Sequence, residues 1–246
     1  MTVIIRDTFA GPLGNTIVAP LYRGNLYPQN KQGLIGPNDH VSDSGHVWYK
    51  GYWSADLQLS GDGRCWPDYP QNSNRADAFC LTPIEGRDYF VELDVNIPAN
   101  DDSGWLMIFF KIDAEPHPDW GANGGHGSCE WFPVNGTSPE MVQFQSNGNS
   151  IFGYDAGVSL SAGVFGDHTF RIECRGNKAS AFTDGIARHS ITMNSPWWER
   201  ERSWVGFGAK TRTSDLVPPG IVIKEFRAGT LTNQFWSLPT KAREIE

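Results

Sequence analysis

The segment from Phe165 to Ser190 constrains the fold more than any other part of this chain. Apolar side chains at Phe170, Ile172 and Cys174 alternate there with charged ones, which is the two-residue period of a half-buried β-strand. The dipeptides Gly-Asn and Asp-Gly that follow favour tight turns. The segment therefore predicts three consecutive antiparallel strands joined by two short turns.

Other parts of the chain repeat this pattern. The segment Tyr89–Ile97 alternates apolar and mostly polar residues along its whole length, so it predicts one buried and one outward-facing side. The run Trp105–Ile112 is almost wholly apolar, and its length suits a strand covered on both faces. Further strands are predicted at 4–9, 16–21, 46–59, 76–81, 141–145, 204–209 and 221–228. Irregular loops are predicted at 22–44, which is rich in Gly, Pro and Asn, at 65–74, and at 113–138, which is rich in Gly, Pro, His and Trp.

These elements predict an all-β fold, an antiparallel two-sheet β-sandwich of the jelly-roll type with about ten to fourteen strands. No long amphipathic helical window stands out, and an apolar fraction of 39% supplies one sizeable core. With no internal repeat or linker, residues 1–232 are expected to form a single domain with long loops. Residues 233–246 are predicted to be a C-terminal arm, which either packs on a partner or is a frayed terminus.

Charge and targeting signals narrow the function classes. The formal net charge of −8 and the scattered Lys and Arg residues argue against nucleic acid as a partner. No apolar run approaches the length of about 20 residues that a membrane span needs, and the N-terminal residues do not resemble a signal peptide. The spacing of the four cysteines is not that of a metal site. Cys65 and Cys80 flank a polar loop and either form a disulfide or remain two reduced thiols.

Several of these segments, in this order, resemble the concanavalin A-like lectin/glucanase jelly roll, close to laminin-G-like domains. The matching segments are Asp7-Thr8-Phe9, YFVELDVNI, HTFRIECRGNKASAFTDG, VGFG and IVIKEFRAG. The third is similar to the central hairpin of that family. The opening Asp-Thr-Phe with its Gly-rich continuation is similar to such domains in bacteriophage tail proteins. The resemblance covers most of the chain.

The resemblance implies two stacked, curved sheets, with carbohydrate bound on the concave face or at loop tips. It also implies a non-enzymatic virion protein of a bacteriophage tail or tail tip (a minor tail protein), made in the host cytoplasm. Such a protein is expected to contact other virion proteins, to occur as a homo-oligomer in the particle, and to adhere to host cell-wall glycan. A glycoside hydrolase or lyase of the same fold and a free lectin are the alternatives.

The catalytic pattern of the glucanases with this fold is only partly present. Glu92 and Asp94 resemble the start of their ExDxxE motif, and strand alternation places both carboxylates on one face. The second Glu of the motif is missing, because Asn96, Ile97 and Pro98 follow. A retaining mechanism needs two carboxyl groups, one as nucleophile and one as acid/base, and the acid/base is missing here. We therefore expect no enzyme activity, and we expect Glu92 and Asp94 to be solvated strand residues.

Metal binding has two candidate sets. Asp101, Asp102 and Asp113 are candidate calcium ligands near a sheet rim, as in laminin-G-like domains, although turn hydrogen bonds explain the Asp pair equally well. His117 and His126 share a loop with several acids, but their spacing is too loose to define a site. No other cofactor is expected.

Aromatic and polar residues around the 113–138 loop are the main candidates for carbohydrate contact. Sugar rings stack on aromatic faces, and their hydroxyls need amide and carboxylate partners. The predicted carbohydrate-binding residues are Trp120, His126, Glu130, Trp131, Gln143 and Gln145. The competing interpretation is that the long loop buries its own tryptophans. Trp197 and Trp198 are likewise either a partner-binding patch or part of a sandwich edge.

Overall fold

The structure is a computed structural model, and about half of the chain can be described from it. The described residues are 1–10, 42–46, 48–50, 57–59, 63–67, 76–80, 82–97, 105–112, 126–132, 141–147, 157–159, 165–194, 197–210 and 221–231. Within them, no helix is long and apolar enough to cross a membrane. The predicted strand at 16–21 and the arm at 233–246 lie outside these residues.

The described residues form sixteen β-strands. They are β1 (Thr2–Asp7), β2 (Trp48–Lys50), β3 (Leu57–Leu59), β4 (Cys65–Pro67), β5 (Ala76–Cys80), β6 (Ile84–Glu85), β7 (Tyr89–Ile97), β8 (Trp105–Ile112), β9 (His126–Phe132), β10 (Met141–Asn147), β11 (Val158–Ser159), β12 (Gly166–Arg175), β13 (Lys178–Thr183), β14 (Ile186–Thr192), β15 (Arg202–Lys210) and β16 (Val222–Thr230).

These strands build two eight-stranded antiparallel sheets. The first sheet has the order β14-β13-β12-β7-β16-β4-β3, with β1 paired to β16. The second has the order β11-β10-β9-β8-β15-β5-β2, with β6 paired to β15. The predicted all-β, two-sheet sandwich is confirmed.

The best-patterned strands lie at the centre of the first sheet. β7 pairs with β12 on one side and β16 on the other, and the predicted bounds of β7 are those observed. Leu93 of β7, Phe170 of β12 and Phe226 of β16 point into one core and are at most 1% exposed. Burying such side chains stabilises the fold by roughly 1.5–3 kcal/mol each. The alternation thus fixes which face of the first sheet is buried.

The two turns predicted between β12, β13 and β14 are also confirmed. Gly176 adopts φ +52° at the first turn, a conformation that favours glycine, and its N–H donates to the Asp88 carboxylate. At the second turn Asp184 has φ +52°. Its carboxylate accepts hydrogen bonds from the Thr169 N–H (2.9 Å) and from Nδ1 of His168 (2.7 Å). The side chains of Asp88 and Asp184 thereby hold the two turns.

Asp184 is expected to make stability pH-dependent. Burial alone would raise the pKa of this carboxyl, but the hydrogen bonds from Thr169 and His168 outweigh it and leave the pKa below its ordinary value. A lowered pKa stabilises the fold above the unfolded value of about 3.9 and loses that contribution as the pH falls further. Asp184→Asn should therefore be less stable than the wild type at pH 7, and the gap should close below about pH 4.

Denaturant unfolding at a series of pH values measures this gap. Glu199→Gln, which removes one charge from an exposed turn, is the control and should show no such convergence. A gap that stays constant from pH 7 to pH 3 would show that the Asp184 carboxylate is not the responsible group.

The second sheet has apolar side chains on both faces, as the run in β8 predicts. Leu106, Ile108 and Phe110 face the inter-sheet core. Met107 and Phe109 face the other way, and pack in a smaller cluster with Phe79, Ile112 and Trp204. The prediction of a strand covered on both faces is therefore confirmed for β8.

Two loop predictions are wrong. Residues 126–132, placed in the loop 113–138, form β9, and residues 65–67, placed in the loop 65–74, form β4. The inward positions of β9 include Gly127, which has little strand propensity of its own. A Cβ on Gly127 would lie 2.6 Å from the Phe110 ring, so the glycine is needed for close packing against β8. Tertiary contact therefore decides this strand.

Buried cysteines and tryptophans complete the core. All four cysteines are buried and none forms a disulfide, so of the two possibilities left open for Cys65 and Cys80 the structure shows reduced thiols. Trp197 is 4% exposed and belongs to the core cluster, and Trp198 packs against it. The structure therefore supports the interpretation that Trp197 and Trp198 are part of a sandwich edge, and not a partner-binding patch.

Candidate functional site

The sandwich has two outward faces, and the first-sheet face is covered by ion pairs. Nη2 of Arg227 lies 2.8 Å from Oε1 of Glu92 and 2.7 Å from Oδ2 of Asp94. Arg171 contacts the other Glu92 oxygen at 3.4 Å, and the Thr169 hydroxyl donates to the other Asp94 oxygen at 2.7 Å. Both carboxylates are therefore held by structural partners on neighbouring strands.

The ladder continues to both sides with balanced charge. Glu225 lies between Arg6 (2.7 Å) and Arg227 (3.5 Å), and Glu173 lies between Arg171 (2.6 Å) and Arg175 (2.8 Å). Acids and bases alternate in equal numbers along this row. Such a self-neutralised face has little electrostatic pull on a charged ligand.

The second-sheet face carries a different chemistry, set by strand register. Glu130 of β9 pairs with Gln143 of β10, and Ser128 pairs with Gln145. The residues between them, such as Cys129 and Phe144, point into the core. Alternation therefore puts these four polar side chains on one surface, joined by His126 at the start of β9. We call this set the β9–β10 polar face.

A hydrogen bond organises the polar face. Nε2 of Gln145 donates to Oε2 of Glu130 over 2.9 Å. Glu130 is 5% exposed, whereas Gln143 is half-buried and Gln145 is exposed. The carboxylate accepts this hydrogen bond and fixes the orientation of the Gln145 amide, and Gln145 is the described side chain of the polar face that is most open to solvent.

An apolar region borders the polar face on β8 and β5. The His126 ring meets the Phe109 ring edge-on at 5.5 Å, and Phe109 in turn lies 4.9 Å from Phe79. Phe109 pairs directly with Ser128, and Met107 with Glu130. The two phenylalanine rings are at most 1% exposed, so they pack beneath the polar face, and the amides of Gln143 and Gln145 are the groups that fit the hydroxyls of a sugar.

A second carboxylate lies further along the same face. Asp77 of β5, 5% exposed, occupies the row of Glu130, separated from it by Gly208 and Met107. Three strand spacings put the two backbones about 14 Å apart. Both carboxylates are buried, so neither is presented to solvent on this face.

The structure separates the predicted carbohydrate-binding residues into three groups. His126, Glu130, Gln143 and Gln145 lie together on the polar face. Trp131 lies on the opposite side of β9, with 0% exposure, and packs edge-to-face on Phe170 at 5.2 Å. Its ring is part of the core and does not face a ligand, because odd-numbered positions of β9 point inward. Trp120 lies outside the described residues.

The predicted calcium ligands Asp101, Asp102 and Asp113 also lie outside the described residues. Within the part of the chain that the structure describes, no group of three His, Cys, Asp or Glu side chains is arranged to hold a metal ion. The calcium site stays a prediction.

Sequence reasoning missed Ser128, Asp77 and the ring of Phe109 as members of this surface. Strand alternation would have identified Ser128: if β9 is assigned as a strand, Ser128 lies on the same face as His126 and Glu130. In β8 the same alternation places Phe109 on the outward face and Phe110 on the face that points into the core. Asp77 is placed only by the pairing of β5 with β15, which the local pattern does not specify.

Comparison with known proteins identifies the fold. No family model and no curated protein sequence matches this chain. Among solved structures it is similar to a Bacillus subtilis protein of unknown function with a galectin-like fold. That similarity has 12% identity and a TM-score of 0.53, and covers 74% of this chain and 89% of that one.

Two mycobacterial structures are similar over almost their full length. One is an immunostimulatory antigen and pseudo β-1,3-glucanase of Mycobacterium tuberculosis, with 13% identity, coverage of 93% and 99%, and a TM-score of 0.52. The other is a glycosyl hydrolase family 16 protein of Mycobacterium smegmatis, with 12% identity, coverage of 92% and 100%, and a TM-score of 0.52. At this level of identity the similarity establishes the fold alone, a two-sheet jelly-roll β-sandwich.

Proposed function

We propose that this protein binds carbohydrate on the β9–β10 polar face and does not cleave it. The observation that carries the proposal is the pairing of Glu130 and Ser128 with Gln143 and Gln145, locked by the 2.9 Å hydrogen bond from Gln145 to Glu130. Amides that are held in one orientation lose little conformational entropy when they bind a ligand. The similar structures, which include a pseudo β-1,3-glucanase and a glycosyl hydrolase family 16 protein, favour polysaccharide as the ligand class.

Two features support binding without hydrolysis. Glu92 and Asp94, which resemble part of a glucanase motif, are both contacted by Arg227 on the other outward face. On the polar face, Asp77 and Glu130 lie three strands apart and are each 5% exposed, so neither carboxylate is open to a scissile bond. A glycoside hydrolase remains the competing function, and turnover of a polysaccharide that disappears in Glu130→Gln would establish it.

The biological setting that we propose is a bacteriophage tail or tail tip, where several copies adhere to host cell-wall glycan. Its support is the resemblance of the Asp7-Thr8-Phe9 start and its Gly-rich continuation to domains of phage tail proteins. Mass spectrometry of purified particles tests this setting. Particles that lack the chain would contradict it while leaving carbohydrate binding untouched.

Replacing Gln145 with alanine is the most direct test of the proposed site. The variant removes an exposed amide and with it a hydrogen bond to the buried Glu130 carboxylate, so stability should fall by roughly 1–3 kcal/mol and binding is compared per folded molecule. Glycan affinity should fall by about tenfold, as expected for the loss of a hydrogen bond worth roughly 1.4 kcal/mol. Binding to a panel of immobilised bacterial cell-wall glycans and plant or fungal polysaccharides gives the measurement.

The matched control is Ser190→Ala, which removes an exposed polar group from β14 on the other sheet. It should bind like the wild type. Equal loss of binding in both variants, or full binding in Gln145→Ala and Gln143→Ala alike, would show that the ligand does not use this face.

A further inference from the structure

Gly157 lies at the border of the polar face, directly before β11. β11 pairs with β10, with Val158 opposite Val142, so the register places Gly157 opposite Gln143. Gly157 also has φ +74°, a conformation that favours glycine. From its contacts we infer that Gly157 is a positioning residue for glycan binding, which sets where the Gln143 side chain lies, an inference that rests on the proposed function.

The space beside Gly157 is too small for a side chain. A Cβ on Gly157 would lie 3.2 Å from Cβ of Gln143, 3.5 Å from its Cγ and 3.1 Å from the carbonyl oxygen of Val142. Opposite residues of an antiparallel pair ordinarily have their Cβ atoms about 4.5–5.5 Å apart. β11 therefore approaches β10 more closely at this point than a residue with a side chain would permit.

A side chain at position 157 would displace the Gln143 amide. Its Cβ would contact both Cβ and Cγ of Gln143, so it would lie on the same face of the sheet as that side chain. The Val142 carbonyl belongs to the β10 backbone and cannot turn aside, whereas the stem of Gln143 can rotate to another χ1. The amide would therefore move, and the strand would stay in place.

The two amides of the polar face are thus held from opposite sides. Gln145 is oriented from β9 by its hydrogen bond to Glu130. Gln143, which is half-buried, is confined from β11 by the close approach of Gly157. Side chains that are confined before binding lose less conformational entropy when they bind a ligand. Gly157 is therefore expected to strengthen glycan binding without touching the glycan.

Gly157→Ala tests this role, and Gly185→Ala is its matched control. Gly185 has φ +76° in the turn between β13 and β14, and a Cβ there would meet no atom within 4 Å. Each variant puts a side chain at positive φ, so each should melt at least about 2–4 °C below the wild type. Only Gly157→Ala should weaken glycan binding per folded molecule, by about two- to tenfold.

Asparagine provides a second pair of variants with less strain. Asn adopts positive φ more readily than Ala, so Gly157→Asn and Gly185→Asn repeat the comparison if the alanine variants do not fold. The probes are a soluble β-1,3-glucan, a galactan and peptidoglycan fragments, and calorimetric titration at equal concentrations of folded protein gives the affinities. Gly157→Asn should again be the weaker binder of the two.

A double-mutant cycle shows whether Gly157 acts through Gln143. Gln143→Ala alone should weaken binding by about tenfold, as expected for the loss of one hydrogen bond. Gly157→Ala added to Gln143→Ala should weaken it no further, because the side chain that Gly157 positions is then absent. A residue that supported the fold alone would give the same additional loss in both backgrounds.

Four results would contradict the inference in distinguishable ways. Wild-type affinity in the Gly157 variants or in Gln143→Ala would overturn the positioning role and leave carbohydrate binding intact. A further loss in the double variant would mean that Gly157 acts on a group other than Gln143. Equal losses in the Gly157 and Gly185 variants would assign the effect to lowered stability. Failure of the wild type to bind any probe would overturn the proposed function and the inference with it.

Discussion

Replacing Trp131 with alanine is expected to lower the free energy of unfolding by about 3–5 kcal/mol. The ring is fully buried between the sheets and packs against Phe170 of the first sheet. Its neighbours in register on the adjacent strands are Leu106 and Val142, which are also fully buried. Solvent therefore cannot fill the cavity that the substitution leaves. For a chain of this size the melting temperature should fall by roughly 10 °C, measured by calorimetry or circular dichroism.

The conservative variant Trp131→Phe should lose much less stability, since it keeps an aromatic ring on Phe170. Glycan binding per folded molecule should be unchanged in Trp131→Phe, because the ring faces away from the polar face. A Trp131→Ala protein that melts like the wild type and no longer binds glycan would contradict this account and would make Trp131 a ligand contact, as the sequence suggested.

Asp7→Ala is expected to destabilise the protein by about 3 kcal/mol. The Asp7 carboxylate has 0% exposure; one oxygen accepts the Trp48 indole N–H at 2.6 Å and the other accepts the Phe9 N–H at 2.7 Å. Alanine leaves both donors buried without an acceptor, at roughly 1–3 kcal/mol for each. Trp48 meets Phe207 and Phe226 edge-on, so a shift of its ring would also disturb contacts with both sheets.

Asp43→Ala provides the matched control for Asp7. Its carboxylate likewise accepts two hydrogen bonds, from the N–H and hydroxyl of Thr8, but it is exposed. Solvent can replace these bonds, so the loss should stay near 1 kcal/mol or below. The free energies of unfolding of the two variants are compared from chemical denaturation curves that have equal m-values. Similar losses for both would show that burial of Asp7 is not what makes it important.

The Asp7 contacts also give a physical meaning to the Asp-Thr-Phe segment. Phe9 has φ +54°, and its N–H is held by the Asp7 side chain two residues earlier. Phe9 then packs on Phe207 of the second sheet at 5.8 Å. The segment therefore closes the N-terminal strand onto the core. Asp7 and Phe9 are thus used by the fold.

Strands with complete alternation were predictable from the sequence, and strands defined by tertiary contact were not. β7 and the β12–β14 meander carry their inward pattern in Leu93, Phe170 and their neighbours, so both the faces and the turns follow from local rules. β9 was not predictable in this way, since Gly127 and Cys129 occupy its inward positions. Small residues are needed at these positions because Phe110 and β10 pack closely against this strand.

The candidate site was predictable in part. His126, Glu130, Gln143 and Gln145 were selected for their sugar-binding chemistry, and register brings all four onto one face. Trp131 was selected for the same reason, but a ring flanked by Glu130 on a strand must face the opposite side. The hydrogen bond from Gln145 to Glu130 depends on the pairing of two strands and was beyond local sequence rules.

The central claim is that carbohydrate binds to the β9–β10 polar face, and hydrogen exchange with and without a bound neutral oligosaccharide tests it most directly. Binding at this face should slow the exchange of amides in peptides that cover residues 126–147, while peptides from 165–194 of the other sheet keep their rates. Protection of the 165–194 peptides alone, or no protection anywhere at saturating ligand, would contradict the claim.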